Sequence, residues 1–521
     1  MATSWMVYLY FSSLNTSSNQ SDQSLRLAVQ NAGLVLSFQH DKSVLDILSG
    51  QDLFGKIIGE EKEKSMRSLR ESLNTPAINA MIQNQNIFIS FYPGASKNLE
   101  FMLSVMVNPE VLQKDIALRL AQSKVVLKPK DDFYALTLPD SSQYYLAIKD
   151  RVLLIASSPE IIKKVDEKQS DDNDQGFISF IQKNDRLAKN SLASLYINYN
   201  LLPALMKSVT PFFNRGELAL LNNQNAYARL SYNFSKERIF LNGETKVENQ
   251  DSYFSLFQSL KPEKIDLDKI LPDNTASYTL YAFGDFKHFS SALNGWFKHK
   301  KEEGQIKKQI QSINDKYRLN LDEIFPSYTG TQAVTFILKN KQKLAAVKLT
   351  NGEKVNQLLL DLSDDYDGKI RIFKEPDILY YYFGEPFKKF ERPYYLILNN
   401  LIILAPYASS LQDFQNKYQR NELLIMDPTY SDVFNQLPLT SNVLFYLNNK
   451  SAQNIVINTV YASFYDHYRK ENGLKSFETF VYQLGGDEGS FQTNLLLNTK
   501  SSQAQEASKQ RLDSLNLNGV N

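Results

Sequence analysis

The sequence predicts an α+β fold built as two tandem copies of an antiparallel-sheet unit, with helices covering one face of each sheet. Three observations predict it. Short strand-like segments recur in the same order in both halves, at an offset that drifts from about 243 to about 253 residues and never reverses. Those segments come in pairs joined by turn residues, the pattern of hairpins. Aromatic residues reach 12% of the chain, with 29 Tyr and 32 Phe, a bulk that suits strands. At 521 residues the chain is too long for one ordinary core. The boundaries read as an apolar stub and polar tether over 1–24, a first unit over 25–250 and a connecting segment over 251–270. A second unit follows over 271–500, then a polar, disordered tail over 501–521.

Taken in order, the first unit opens with Asn31-Ala-Gly-Leu-Val-Leu-Ser-Phe, a strand leading into a short helix with Val44, Leu45 and Leu48. Its counterpart is Asn274-Thr-Ala-Ser-Tyr-Thr-Leu-Tyr, whose helix carries Phe286, Phe289, Leu293, Trp296 and Phe297 on one face. A hairpin follows in each copy: Ile87–Phe91 with Phe101–Val107 across Pro93-Gly94, and Ala333–Leu338 with Lys343–Leu349 across Asn340-Lys341. The alternation Phe101, Leu103, Val105, Val107 predicts one buried face. Helix starts come next, from Asn108-Pro109 as N-cap and first-turn proline, and from the capping box Thr350 to Glu353. Then Tyr144-Tyr-Leu-Ala-Ile-Lys-Asp-Arg-Val-Leu-Leu-Ile-Ala matches Tyr394-Tyr-Leu-Ile-Leu-Asn-Asn-Leu-Ile-Ile-Leu-Ala. Each is a strand, a two-residue turn (Lys149-Asp150 or Asn399-Asn400) and a strand. Each enters a helix capped by Ser157 with Glu160, or by Ser409 with Gln412. Ser191–Asn198 matches Ser441–Asn448. Tyr227–Tyr232 with Ile239–Thr245 matches Phe480–Leu484 with Phe491–Leu497.

Charge excludes some functions. The net charge of +1 lacks the basic excess of a nucleic-acid binder, so no nucleic-acid partner is expected. The densest basic run, Lys298, His299, Lys300, Lys301, precedes a helix whose apolar face is Ile306, Ile310, Ile313 and Tyr317, and reads as solvated surface. The chain has no cysteine, which excludes disulfides, thiolate metal sites and cysteine nucleophiles.

No catalytic, cofactor-binding or metal-ligating set emerges, so catalytic, cofactor and metal residues are all expected to be none. The histidines are His40, His288, His299 and His467, none at ligand spacing. Gly485-Gly-Asp-Glu-Gly489 resembles the start of the cyclic-dinucleotide synthase signature, but Gly489 stands where that signature has Phe, and a turn whose glycines supply positive φ is expected. Asp365-Tyr-Asp367-Gly368 hints at a calcium loop, yet Lys374 sits where the bidentate Glu belongs; a solvated loop before a strand Lys369–Phe373 is expected. Asp171, Asp172 and Asp174 read as another acidic loop. Tyr380-Tyr-Tyr-Phe383 reads as a strand with half its rings in the core, or as a stacking surface for sugars.

Trp5–Phe11 is an apolar run too short to span a bilayer, and Ser12–Ser24 is a polar tether; together they resemble the end of a membrane anchor. At Leu271-Pro-Asp-Asn-Thr-Ala276 and at Leu319-Asn-Leu-Asp-Glu-Ile-Phe-Pro-Ser-Tyr-Thr-Gly330 the chain resembles a family of uncharacterised bacterial envelope proteins with a domain of unknown function. The family often has Glu after that glycine, where Thr331 stands here. The resemblance implies an N-terminal signal or membrane anchor and carries no functional residues.

The expectation is therefore a non-catalytic, envelope-associated binding or scaffolding module. It would be anchored near its N-terminus with its body in the periplasm, and its partners would be envelope proteins. The alternatives are a cytoplasmic location, or an enzyme or a carbohydrate- or lipid-binding protein with its site in a cleft between the units.

Overall fold

The computed structural model describes residues 23–39, 56, 60–94, 98–111, 113–121, 125–167, 172–184, 193–212, 220, 222, 224–233, 237–249, 252–470 and 473–499. The stub and tether before residue 23, the helix expected at Val44, Leu45 and Leu48, His40, Asp171 and the tail from Lys500 lie outside them. Packing divides the chain into two units. One comprises 1–211, 227–236 and 461–474, the other 212–226, 237–460 and 475–521.

Unit one is one antiparallel sheet. Its strands are β1 (Leu34–Gln39), β2 (Asn86–Pro93), β3 (Leu99–Met106), β4 (Val126–Pro129), β5 (Tyr134–Thr137), β6 (Gln143–Lys149), β7 (Val152–Ala156), β8 (Ser194–Asn198) and β9 (Ala226–Asn233). They lie side by side in the order β9-β8-β1-β2-β3-β7-β6-β5-β4.

Unit two has β10 (Arg238–Val247), β12 (Thr275–Ala282), β13 (Thr329–Leu338), β14 (Lys343–Leu349), β15 (Ser363–Asp365), β16 (Ile370–Phe373), β17 (Tyr394–Leu398), β18 (Leu401–Ala405), β20 (Val443–Asn448), β21 (Phe477–Asp487) and β22 (Ser490–Thr499). Their order is β10-β22-β21-β20-β12-β13-β14-β18-β17-β16-β15, all antiparallel. A separate pair joins β11 (Glu263–Lys264) to β19 (Thr440–Ser441).

The run from β21 to β15 in unit two repeats, strand for strand, the run from β9 to β4 in unit one. Details agree too. Val107 N donates to Arg151 O, and Leu349 N to Asn400 O, each at 2.8 Å.

Helices cover both faces of each sheet, not the one face expected. In β7 all five residues are buried. Val152, Leu154 and Ala156 pack with Ile161, Ile162 and Phe177, while Leu153 and Ile155 pack with Met81, Ile116 and Leu120 on the other side. In unit two Ile402 and Leu404 face Phe289, Val355 and Phe383, and Ile403 and Ala405 face Leu411, Phe414 and Val433. A continuous apolar run is the mark of a strand buried on both sides. The alternation read in β3 hid this: the intervening Met102, Ser104 and Met106 are buried, while Phe101 and Leu103 are half-buried. Residues 251–270, expected as a connector, send Tyr253, Phe254, Leu256, Phe257, Leu267 and Ile270 into the cores of unit two.

The helix Phe286–His299 buries all five of its predicted apolar residues, and Glu303–Tyr317 buries Ile306, Ile310 and Ile313. Lys300 and Lys301 stand in the turn between them.

Several helix starts differ from expectation. Asn108-Pro109 forms a turn, and the helix begins at Gln113; the Asn108 side chain instead donates to Ala80 O and accepts from Gln85 Nε2. In unit two Asn351, not Thr350, caps, accepting from Lys354 N at 3.0 Å. Helix Pro159–Glu167 starts one residue later than Ser157 implies. Helix Ala408–Gln419 follows Tyr407 with no side-chain cap, so Ser409 lies inside it. The β6–β7 turn is Asp150-Arg151, both at positive φ, rather than Lys149-Asp150; the β17–β18 turn is Asn399-Asn400 as read. Gly352 is required where that turn docks on a helix start. A Cβ there would sit 1.8 Å from Asn399 O, and its amide donates to Asn400 Oδ1 at 2.9 Å.

Candidate functional site

The residues singled out in the sequence that the structure describes are dispersed. His288 Nδ1 lies 2.9 Å from Asp285 Oδ2, one exposed turn of helix away. Among the described residues no group of three or more His, Cys, Asp or Glu could hold a metal ion. Asp367 Oδ1 accepts the amides of Lys369 and Ile370, and Asp365 Oδ2 accepts that of Gly368. Those carboxylates close the β15–β16 turn, and the strand begins at Ile370, one residue after the expected start. The backbone of Asp172 and Asp174 is helical rather than loop.

In the Gly485–Gly489 motif Glu488 and Gly489, which form the β21–β22 turn, have positive φ. Gly485 and Gly486 belong to β21 itself. Gly486 is there for close approach: a Cβ would lie 2.5 Å from Leu260 O and 2.7 Å from Phe257 O.

Tyr380–Phe383 is helical, within Ile378–Phe383, and Tyr380, Tyr382 and Phe383 are buried. It is core, not a sugar platform. Its hydroxyls reach carboxylates. Tyr380 donates to Glu302, and Tyr382 donates to Asp322 Oδ1 at 2.9 Å while stacking on Phe325 at 4.1 Å. Burial first, then the facing carboxylate, pushes both phenols far above their usual value.

One buried polar cluster was not legible in the sequence. Asp268 lies in the 3-10 helix Leu267–Ile270, held by the burial of Leu267 and Ile270. Tyr430 lies in helix Pro428–Phe434, started by Asp427 accepting from Thr429 N and by Pro428 in the first turn. Tyr278 lies in β12 opposite Tyr446 of β20, with the rings stacked at 5.1 Å. Tyr278 Oη is 2.7 Å from Tyr430 Oη, and Tyr430 donates to Asp268 Oδ2 at 2.8 Å. Because the carboxylate only accepts, the chain runs Tyr278 to Tyr430 to Asp268 while Asp268 is ionised.

Burial holds both phenols well above their ordinary range. Burial also raises the Asp268 carboxyl, against the lowering effect of the Tyr430 hydroxyl and Lys269. Asp268 Oδ1 has no hydrogen-bond partner.

Chemically, this is a short hydrogen-bonded chain: two neutral phenols ending on a carboxyl whose pKa burial raises. Its far end is closed by the core around Val433 and Tyr446. The cavity lined by Ile324, Phe325, Tyr328, Val355, Leu379 and Phe383 lies in the other core of unit two. It holds about 20 Å³, room for one water, and its walls are apolar.

The larger exposed aromatics are Tyr366 and Tyr407, at 55% and 68%. Tyr366 meets Tyr394 edge to face at 5.4 Å. No helix among the described residues is long and apolar enough to cross a membrane. Comparison with protein-family models, with curated proteins and with solved structures finds no match to the chain.

Proposed function

We propose that this chain is a non-catalytic binding or scaffolding module of the bacterial cell envelope, made by duplication of one α+β unit and tethered near its N-terminus. The observation that carries the reading is the shared strand order of the two sheets, β9-β8-β1-β2-β3-β7-β6-β5-β4 and β21-β20-β12-β13-β14-β18-β17-β16-β15. Nine strands in one order are hard to reach twice by chance. The use of Tyr and carboxylate groups as internal clips in unit two supports a rigid framework. The envelope location rests on the apolar stub, the polar tether and the two motifs that resemble envelope proteins. Partners would be other envelope proteins.

The test is expression from the native locus with its upstream region, followed by cell fractionation and affinity purification from the membrane fraction. Membrane-associated protein that brings down envelope proteins reproducibly is the expected result. Protein found only in the cytosol overturns the proposal. A second reading, carbohydrate binding, has the exposed Tyr366 and Tyr407 in its favour. Tyr366→Ala and Tyr407→Ala would then abolish retention on a polysaccharide column.

A further inference from the structure

Neither compact unit is a continuous stretch of chain. Unit one takes residues 461–474 from the second half of the sequence, and unit two takes 212–226 and the strand β10 from the first half. The segments 212–226 and 461–474 hold the same place in the two copies: one lies between β8 and β9, the other between β20 and β21.

Both are built into their new surroundings. In unit two Leu220 is buried in the aromatic core, and Gln224, itself buried, donates to Leu220 O and accepts from Ser252 Oγ. β10 pairs with β22 from Arg238↔Asn498 to Lys246↔Ser490, with Thr245 and Thr493 hydroxyls 2.7 Å apart in the interior. In unit one Tyr461 N donates to Val209 O at 3.0 Å. Tyr468 of the helix Ala462–Arg469 is buried, which raises its phenol to about 12.

We infer that the two halves of the sequence, 1–250 and 251–521, exchange segments reciprocally, so that each half is the obligate binding partner of the other. Removing 251–521 takes the partner strand β22 from β10 and takes 461–474 from unit one. Removing 1–250 strips unit two of β10 and of Leu220 and Gln224. A strand left at a sheet edge with unpaired amides and carbonyls is a poor end state. Neither half of the sequence therefore completes a unit by itself, and this holds whatever the module binds. Only the equivalence of the two segments rests on the duplication reading.

The experiment uses the full chain with a site-specific protease sequence inserted between Gln250 and Asp251. After cleavage of the folded protein, the two fragments are expected to co-elute on a native sizing column at the mass of the uncut chain and to part only in denaturant. Fragments that separate in native buffer overturn the inference. A second arm covers the case in which the insertion prevents folding. The chain has no cysteine, so Thr245→Cys with Thr493→Cys gives one defined pair. Oxidation is expected to yield an intramolecular cross-link in the monomer, seen as a faster band on a non-reducing gel. A cross-link that forms only between chains, or none, overturns the inference. Separation of the fragments leaves the envelope proposal standing, and a cytosolic location leaves the exchange standing.

Discussion

Tyr430 is the joint of the buried relay, and replacing it tests whether the relay is a connected unit. Tyr430→Phe removes one oxygen and leaves the ring contacts with Phe434 and Tyr446 in place. The loss falls on two neighbours. Tyr278, fully buried, keeps a hydroxyl with no partner, at a cost of about 1 to 3 kcal/mol. Asp268 loses the donor to Oδ2, a bond to a charged group of about 1.5 to 3 kcal/mol, reduced here because Asp268 is partly open to water. Together the expected destabilisation is about 2 to 4 kcal/mol. Tyr278→Phe removes only the end of the relay and leaves Tyr430 bonded to Asp268, so it should cost about 1 kcal/mol. In the double variant no orphaned phenol remains, so its cost falls below the sum of the two. Urea unfolding followed by far-UV circular dichroism measures all three, with comparable m-values as the check that the states compared are the same. A Tyr430→Phe cost no greater than that of Tyr278→Phe would refute the reasoning.

Three further predictions follow from named contacts. The folded Asp268 carboxyl titrates above its unfolded value, so its contribution is fully present below the unfolded pKa and is lost as pH rises through the folded one. Urea midpoints from about pH 4 to pH 8 should therefore move in favour of Asp268→Asn relative to the parent as pH rises, and a flat difference would count against the raised pKa. Gly486→Ala drives a methyl into backbone oxygens that cannot swing away and should cost more than about 2 kcal/mol, whereas Gly485→Ala meets only the Pro262 ring at 3.4 Å and should cost under about 1 kcal/mol. Equal losses of thermal stability for the two would remove the close-approach account of that motif. Asn351→Ala should cost about 1 kcal/mol as a lost N-cap, and Ser409→Ala, inside its helix, should be close to neutral; chemical denaturation distinguishes this from the capping pattern read in the sequence.

The sequence by itself determined features that depend on neighbours within a few residues. The strand at Thr275–Ala282, the hairpins 86–106 and 329–349, the turn at Asn399-Asn400 and the amphipathic helices at 286–299 and 303–317 all follow from local periodicity and turn chemistry. The shared order of strand-like segments was legible for the same reason, since each of its marks is a short local pattern. Helix starts were less secure, because several Ser, Thr and Asn residues compete for one N-cap and packing selects among them, as with Thr350 and Asn351.

Tertiary structure alone decided the rest. Whether a strand such as Val152–Ala156 has one covered face or two depends on helices far away in sequence. The Tyr380–Phe383 run became helix because its rings fill a core that only the assembled sheet creates. The relay joins Tyr278 to Tyr430 across 152 residues and Tyr430 to Asp268 across 162, separations that leave no periodic trace. The placement of 461–474 in unit one and of β10 in unit two is likewise invisible locally, because a strand or helix carries the same pattern whichever unit it completes.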